Sequence, residues 1–252
     1  MRLKNKNAII TGAASGIGAS ICEKFAEYGA NLALWDINEN GLEEMKKKFP
    51  KYNIKVEGYK TNVTDYHNVQ EIGKRTIKDF GKIDILINCA GGGKDLSLGF
   101  RELDDITWKN QIDLNLNSAF YCSKSVIEHM IEQRYGKIVN IASIAGMRGG
   151  GLLGKGAYST AKAGVIGFTK ALAKELGEFG IYVNTVAPGL HVTPLITGKI
   201  PEARIEEIKN SFPLKTAGDP EKLAELIAFL ASDDAQFITG ALLTVDGGYS
   251  MH

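Results

Sequence analysis

Tyr158 and Lys162 are the pair of side chains with the clearest potential for proton chemistry. They lie four residues apart in the run Tyr-Ser-Thr-Ala-Lys, a spacing that places both on one face of a helix. The reference pKa of tyrosine is about 10, and a neighbouring ammonium favours the phenolate, so Lys162 is expected to lower the pKa of Tyr158. The phenol could then give a proton to a reacting oxygen. Taken alone, this spacing is more often that of a solvated helix face.

Ser143 is the third residue that could take part in such chemistry. It directly follows a predicted strand over residues 137–142, and open parallel sheets bind their ligands at the carboxyl ends of their strands. Its hydroxyl could hold a substrate oxygen. Between Ser143 and Tyr158, six glycines occur among the eleven residues 146–156, a composition that also fits a floppy surface loop.

A glycine-rich turn near the N-terminus predicts what these residues would work with. The run from Thr11 to Gly18 lies between a short apolar strand and an amphipathic helix. Glycines in such a turn let the backbone approach a pyrophosphate, and the helix N-terminus attracts its negative charge. The alternative is a tight connection that binds nothing. The residues predicted to contact a dinucleotide here are Gly12, Ser15, Gly16, Ile17 and Gly18.

Asp36 predicts which dinucleotide is bound. It ends the second predicted strand, about twenty residues after the glycine-rich turn, where a carboxylate can accept hydrogen bonds from the adenosine ribose. The same carboxylate would repel a 2′-phosphate, and Ser15, Ile37 and Asn38 offer no positive charge to attract one. Asp36 therefore favours NAD over NADP. The competing interpretation is an ordinary solvated aspartate that caps the next helix.

The remaining sequence alternates between short apolar strands and amphipathic helices, which predicts a doubly wound, Rossmann-type α/β fold with a mainly parallel sheet flanked by helices. At 252 residues the chain forms one domain, 1–252, in this interpretation. The helix predicted over 104–131 would bury one face with Trp108, Ile112, Leu116, Ala119 and Phe120. Strands are predicted at 8–10, 31–35, 55–60, 83–88, 137–142, 181–186 and 241–245, and further helices at 39–49, 69–80 and 220–232, with one more ending near 179.

Together these motifs resemble those of the short-chain dehydrogenase/reductase family over essentially the whole chain. Asn115 and Leu116 match its Asn-Leu motif, and the glycine-rich turn, Ser143, Tyr158 and Lys162 follow in the family's order. The resemblance implies that Asn115 helps to hold a water in a proton relay. It also implies that Lys162 contacts the nicotinamide ribose as well as lowering the pKa of Tyr158.

The resemblance also implies further cofactor contacts, with some departures from the family pattern. Asn62 replaces the usual aspartate near the adenine and can still donate and accept hydrogen bonds. Cys89 replaces the second asparagine of the Asn-Asn-Ala-Gly motif, and the segment between Ser143 and Tyr158 is longer than usual. Thr193 matches a threonine that contacts the carboxamide. The other implied cofactor residues are Val63, Asn88, Ala90, Gly91, Pro188 and Gly189.

Composition excludes several other classes of protein. Thirty Lys and Arg against twenty-nine Asp and Glu give a net charge of +1, so charge offers no case for nucleic acid or an anionic membrane as partner. The longest apolar runs are too short to span a membrane and no signal-peptide core is present, which predicts a cytoplasmic protein. Three widely spaced cysteines fit reduced thiols, and the four histidines show no metal-ligand spacing, so no essential metal is expected.

These features predict an NAD-dependent oxidoreductase that acts on a secondary alcohol or its ketone. The alternative is a 3-oxoacyl thioester reductase acting on acyl-carrier-protein or CoA substrates, since residues 211–246 resemble that branch too; Asp36 argues against it because reductive biosynthesis usually draws on NADPH. A catalytically silent NAD-binding sensor or scaffold need not keep Asn115, Ser143, Tyr158 and Lys162 together. The family resemblance implies a homotetramer.

The substrate side of the site is expected to be an apolar pocket closed by a lid. Residues 190–213 have weak periodicity and contain Gly198, Pro201 and Pro213, which suits a segment that closes over substrate. A small-molecule substrate of several classes would fit such a pocket. Its predicted lining is Met147, Leu152, Leu153, His191, Leu195 and Ile196.

Overall fold

The computed structural model describes residues 1–94, 96–151, 154–193, 196 and 200–251, and its centre is one sheet of seven parallel strands. The strand order is β3-β2-β1-β4-β5-β6-β7, so the chain reverses its direction across the sheet between β1 and β4, where doubly wound folds bind their ligands. The predicted fold class is confirmed. The strands are β1 (Asn7–Thr11), β2 (Asn31–Asp36), β3 (Val56–Lys60), β4 (Ile85–Asn88), β5 (Gly136–Ile141), β6 (Ile181–Pro188) and β7 (Leu242–Val245).

Helices cover both faces of the sheet. The central strands are apolar at consecutive positions because both of their faces are buried: Ala8 and Ile10 pack into one core cluster, and Ile9 into the other. The helices are α1 (Gly16–Glu27), α2 (Glu39–Lys46), α3 (Tyr66–Phe80), α4 (Asp105–Ile112), α5 (Ser118–Glu132), α6 (Ile144–Arg148), α7 (Gly156–Leu176), α8 (Glu202–Ser211) and α9 (Pro220–Leu230).

Several helices begin where a short polar side chain caps the first turn. Asn38, Asp65, Asp104 and Asp219 each accept a hydrogen bond from a backbone N–H two or three residues later. Such a cap satisfies one of the donors that the first turn leaves without a helical partner. These local signals explain why the predicted helices exist, with ends that differ by a few residues.

The helix predicted over 104–131 is interrupted by a π-helical turn at Asp113–Asn117, between α4 and α5. A π-helical turn inserts one residue into the helical repeat, so the side chains after it are rotated by about 100° relative to those before it. Of the five residues predicted to form the buried face, Ala119 is buried, Trp108, Ile112 and Leu116 are half-buried, and Phe120 is 46% exposed. The prediction that Phe120 belongs to the buried face is therefore wrong.

The glycine-rich segment after Ser143 is partly helical. Its first residues belong to α6, which ends at Gly149 with a φ of 72°, a conformation that glycine adopts without strain. At the other end, the Lys155 N–H donates to the Leu96 carbonyl at 2.8 Å. In the described part of this segment, backbone hydrogen bonds therefore hold both ends in place.

Candidate active site

The glycine-rich turn joins β1 to α1 and leaves no room for side chains. Gly12 has a φ of +69°, and a Cβ there would lie 3.0 Å from the Ala90 Cα; a Cβ on Gly18 would lie 2.0 Å from the Gly12 carbonyl oxygen. The turn therefore packs tightly against the end of β4 while its backbone stays open toward the carboxyl edge of the sheet. This bare backbone at a helix N-terminus fits the pyrophosphate of a dinucleotide.

Asp36 is held beside this turn at the end of β2. One carboxylate oxygen accepts a hydrogen bond from the Ala14 N–H at 3.0 Å, and the other accepts one from the Asn38 N–H at 2.9 Å. The two bonds fix the position of the negative charge. The Thr61 N–H donates to the Asp36 carbonyl, which brings Asn62 and Val63 to the same edge.

The end of β4 lies between the glycine-rich turn and β5. The Thr11 hydroxyl accepts hydrogen bonds from the N–H groups of Cys89 and Ala90, both at 3.0 Å, so Thr11 ties this segment to β1. Asn88 instead points into the protein, where its side-chain nitrogen donates to Asn140 at 2.8 Å and to Ser123 at 3.1 Å. A cofactor contact from Asn88 stays a prediction, and Thr11 is a residue that the sequence did not single out.

Asn115 is buried in the π-helical turn and is held by the loop after β4. Its side-chain oxygen accepts from the Gly92 N–H at 2.8 Å, and its nitrogen donates to the Gly92 carbonyl and to the Gln111 side chain, both at 3.0 Å. A Cβ on Gly91 would lie 3.0 Å from the Asn115 oxygen and 3.1 Å from the Lys162 nitrogen. The side chains of Asn115 and Lys162 therefore both approach the Gly91 backbone, where a larger residue would crowd them. Gln111, one helical turn earlier, was missed although its spacing of four residues signals a shared face.

Ser143, Tyr158 and Lys162 meet at the carboxyl end of β5. Ser143 caps α6 by accepting from the Ala145 N–H at 3.1 Å, and its side chain is close enough to Tyr158 on α7 to favour the phenolate of Tyr158. The Lys162 nitrogen lies 5.9 Å from the centroid of the Tyr158 ring and donates to the Ile141 carbonyl at 2.9 Å. The structure thus brings together the three residues that the sequence predicted.

Burial dominates the electrostatics of this group. Burial raises the pKa of Tyr158, and the Ser143 side chain opposes that rise. Burial also lowers the pKa of Lys162 to about 8, because a desolvated ammonium is costly. In the free protein Lys162 is not among the groups that act on the pKa of Tyr158, so the expectation that Lys162 lowers it stays a prediction. With its pKa raised, Tyr158 is a protonated phenol at neutral pH.

The loop after β6 closes the site from the opposite side. Pro188 pairs with Val245 of β7, and the Gly189 N–H donates to the Val245 carbonyl at 2.9 Å. A Cβ on Gly16 would lie 3.7 Å from the Cβ of Thr193, so Thr193 faces the glycine-rich turn. This position is compatible with the predicted carboxamide contact, which stays a prediction.

The predicted substrate pocket is seen in part. Met147 packs on a small cluster around Val165, Ile196 packs on Leu190 and Phe212, and His191 is buried. Within the predicted lid, residues 202–211 form α8. Leu152, Leu153 and Leu195 lie outside the described residues.

The residues that the structure describes contain no cluster of three or more histidine, cysteine or acidic side chains that could hold a metal ion. Cys22, Cys89 and Cys122 are free thiols. Over the same residues, no helix combines the length and apolar character needed to cross a membrane.

Comparison with known proteins finds relatives over nearly the whole chain. A family model described as enoyl-(acyl carrier protein) reductase matches residues 12–250. The chain is similar to the 3-oxoacyl-[acyl-carrier-protein] reductase FabG of Thermotoga maritima, with 41% identity over 248 residues, 98% of this chain and 99% of that protein. It is 40% identical over 251 residues, 100% of this chain and 99% of the relative, to the (2S)-[(R)-hydroxy(phenyl)methyl]succinyl-CoA dehydrogenase subunit BbsD of Thauera aromatica. The FabG of Escherichia coli K12 is 37% identical over 251 residues, the whole of both chains.

Proposed function

Because the chain belongs to the short-chain dehydrogenase/reductase family and is an oxidoreductase, we propose that it moves a hydride between a nicotinamide cofactor and the third carbon of a 3-oxoacyl or 3-hydroxyacyl thioester. The meeting of Ser143, Tyr158 and Lys162 at the carboxyl end of β5 is the observation that supports the proposal. The names of the relatives support the thioester: two are 3-oxoacyl-[acyl-carrier-protein] reductases, and one is a dehydrogenase subunit named for a hydroxy(phenyl)methyl-succinyl-CoA.

The residues divide the work of the reduction between them. When bound, the nicotinamide supplies the hydride to the carbonyl carbon. The Ser143 hydroxyl donates a hydrogen bond to the carbonyl oxygen, where negative charge develops. The Tyr158 phenol gives that oxygen its proton, and the raised pKa of Tyr158 keeps the proton in place until then. In the reverse direction the same phenol must first lose its proton.

Lys162 and Asn115 assist Ser143 and Tyr158 without contacting the reacting carbonyl. Lys162 is positioned by the Ile141 carbonyl at the end of β5, from which its remaining N–H groups can bond a nicotinamide ribose. Asn115 holds the Gly92 backbone on both its N–H and its carbonyl. The π-helical turn around Asn115 departs from regular helical hydrogen bonding, as such turns often do at functional sites, and this supports a role in a proton relay.

The proposed cofactor is NAD(H). Asp36 carries a charge that two backbone N–H groups fix at the end of β2, so a 2′-phosphate at the adenosine ribose would meet a carboxylate that cannot move away cheaply. NAD is usually an oxidant in metabolism, whereas reductive biosynthesis usually draws on NADPH. The preference for NAD therefore favours oxidation of a 3-hydroxyacyl thioester as the working direction.

A substrate panel tests the proposal. Purified protein is assayed by nicotinamide absorbance with 3-oxoacyl thioesters of CoA and of acyl carrier protein, 3-hydroxyacyl-CoA, simple secondary alcohols and an enoyl thioester, each with NAD(H) and NADP(H). We expect turnover of the 3-oxoacyl and 3-hydroxyacyl thioesters with NAD(H). Turnover of simple alcohols alone would restore the secondary-alcohol interpretation, and reduction of the enoyl thioester alone would assign the chemistry to a carbon–carbon double bond. Binding of NADH without any turnover would indicate a silent sensor.

Three other features stay predictions beside this function: a homotetramer, a cytoplasmic location and independence of metal ions. Sedimentation of the purified protein measures the first, and activity after dialysis against a chelator measures the last. The location can be followed by fractionation of the source cells.

A further inference from the structure

The C-terminal tail lies between two elements of the candidate active site. After β7, Gly247 and Gly248 adopt φ values of +63° and +83°, and the Asp246 carboxylate accepts hydrogen bonds from the N–H groups of Gly248 and Ser250. This turn directs Tyr249 back over the protein. The Leu214 N–H donates to the Gly247 carbonyl at 3.2 Å, so the tail also follows the chain that leaves α8.

Tyr249 contacts both neighbouring elements. Its ring packs edge-on against Phe212, the residue that ends α8, with 5.2 Å between the ring centroids. The Arg148 guanidinium lies 4.4 Å from the centroid of the same ring, and an Arg148 N–H donates to the Tyr249 carbonyl at 3.0 Å. Arg148 is the last residue of α6, the five-residue helix that Ser143 caps. We call the three residues Arg148, Tyr249 and Phe212 the clasp.

Among the described residues, α8 packs through one small apolar cluster. Ile208 is the only buried residue of α8, a helix whose residues are all described, and it lies in this cluster with Leu190 and Phe212. A cavity of about 180 Å³ lies beneath the C-terminal end of α8 and is lined by Phe212, Leu190 and His191, among others. Since a cavity offers no contacts to its lining, the aromatic and cationic contacts of the clasp add to the packing that this small cluster supplies.

We propose that Arg148, Tyr249 and Phe212 are positioning residues that hold α8, on the substrate side, against the helix that carries Ser143. The proposal rests on the proposed function only for its effect on substrate. Losing the clasp frees α8 and loosens the wall of the pocket. The glycine-rich turn contributes no residue to the clasp, so the affinity for the cofactor should not change.

The test has one readout that needs no substrate. Hydrogen exchange of residues 202–211 is measured in the free protein for wild type, Arg148→Ala, Tyr249→Ala and the Arg148→Ala/Tyr249→Ala double variant. We expect faster exchange in α8 for each variant, and no further increase in the double variant because the two residues act through one contact. Tyr249→Phe keeps the ring and should restore the wild-type rate. Arg101→Ala, which removes an exposed arginine outside the clasp, is the control.

The second readout separates positioning from general damage. For the 3-oxoacyl thioester, the KM should rise roughly three- to twentyfold in Arg148→Ala and Tyr249→Ala, since contacts of these two kinds are worth up to about 2 kcal/mol. The kcat and the affinity for NADH should stay near wild type. If Tyr249→Ala folds poorly, the exposed Arg148 still supplies the test.

Two results would overturn the clasp: unchanged exchange in α8 for both single variants, or a fall in NADH affinity equal to the rise in KM. A wild type without thioester turnover would refute the proposed function instead. The exchange pattern would then still decide whether the clasp holds α8.

Discussion

The Lys162 ammonium donates a hydrogen bond to the backbone carbonyl of Ile141 at 2.9 Å, in a position where Lys162 is 4% exposed. A cation at that depth is held by one neutral acceptor at the end of β5, and burial lowers its pKa to about 8. The free protein thus bears an electrostatic cost at the place where the cofactor ribose is proposed to bind. Active sites commonly carry such a cost in exchange for function.

Lys162→Met should make the free protein more stable at pH 7 and inactive. The native pKa of Lys162, about 8, lies below the ordinary 10.5, so between these values the unfolded state binds the extra proton and the stability of the wild type rises with pH. Below pH 8 Lys162 is charged in both states, so the native state bears the full free-energy cost of burying its ammonium. Replacement by an apolar chain should gain about 1 to 2 kcal/mol after the lost hydrogen bond is subtracted.

Urea unfolding of both proteins at pH 7 and pH 10 measures this gain. It should shrink at the higher pH, where the wild type has already lost the proton. A methionine variant that is less stable at both values would show that the bond to Ile141 outweighs the desolvation.

Tyr158→Phe should abolish turnover while NADH still binds, because the change removes only the hydroxyl. A loss of a proton donor commonly costs on the order of a hundred- to ten-thousandfold in rate. Fluorescence titration with NADH and the initial rate with a 3-oxoacyl thioester give the two quantities. Residual turnover within tenfold of wild type would exclude Tyr158 as the donor.

The raised pKa of Tyr158 also predicts how the two directions depend on pH. Reduction needs the protonated phenol and should stay level through neutral pH, whereas oxidation needs the phenolate and should rise toward alkaline pH. Ser143→Ala removes the interaction that opposes the rise in the pKa of Tyr158. The alkaline limb of the oxidation profile should therefore shift to higher pH. An oxidation rate that is independent of pH between 7 and 10 would contradict this assignment.

The sequence is most informative where a signal is local. The glycine-rich turn, Asp36 and the spacing from Tyr158 to Lys162 depend on neighbours in the chain, and the structure places all of them at one edge of the sheet. Phe120 was misjudged because a π-helical turn inserts a residue without any change in apolar periodicity. Sequence periodicity assumes a regular helix and therefore cannot reveal such an insertion.

Long-range contacts account for the rest. The effect of Lys162 on Tyr158 depends on burial by β4, β5 and α7 together, which spacing along one helix cannot show. Thr11 was not assigned a role for the same reason, since it is an ordinary strand residue until the end of β4 donates to its hydroxyl, whereas Gln111 could have been found from its spacing of four residues from Asn115. Asn88 occupies the position of a cofactor ligand in its motif, yet its amide nitrogen donates a hydrogen bond to Asn140 inside the sheet.

Cofactor choice should depend on Asp36. With NADP, the ribose hydrogen bonds are lost and a phosphate dianion meets a fixed carboxylate, which together amount to roughly 2 to 4 kcal/mol, or thirty- to a thousandfold in catalytic efficiency. Asp36→Ala should erode this preference. Adding Ile37→Arg should reverse it, since Ile37 is 63% exposed and a guanidinium there can bind a 2′-phosphate.

The ratio of kcat/KM with NAD and NADP decides the matter for the wild type and the variants. Asp36→Asn is the matched control, because it removes the charge and keeps an acceptor for the Ala14 or Asn38 N–H. A wild type that prefers NADP would place the Asp36 charge outside the ribose site and favour reduction as the working direction.

His191 should make the stability of the protein depend on pH. The imidazole is 3% exposed, its Nδ1 lies 3.3 Å from the Gly189 carbonyl oxygen, and its tip faces Gly218, where a Cβ would lie 2.3 Å from Nε2. A carbonyl can only accept, so Nδ1 carries the proton. Burial lowers the pKa of His191, while the bond to Gly189 and the nearby Asp219 carboxylate oppose that change.

The sign of the effect follows from this direction. The native pKa lies below the ordinary value of 6.5, so as the pH falls below that value the unfolded state takes up a proton that the native state refuses, and stability is lost. The slope from one such group is at most about 1.4 kcal/mol per pH unit. His191→Asn keeps a donor close to the position of Nδ1 and removes the titration. Urea unfolding between pH 7.5 and pH 5 should therefore show a smaller loss of stability in the variant than in the wild type. Equal losses in the two proteins would mean that His191 accepts a proton while it stays between Gly189 and Gly218.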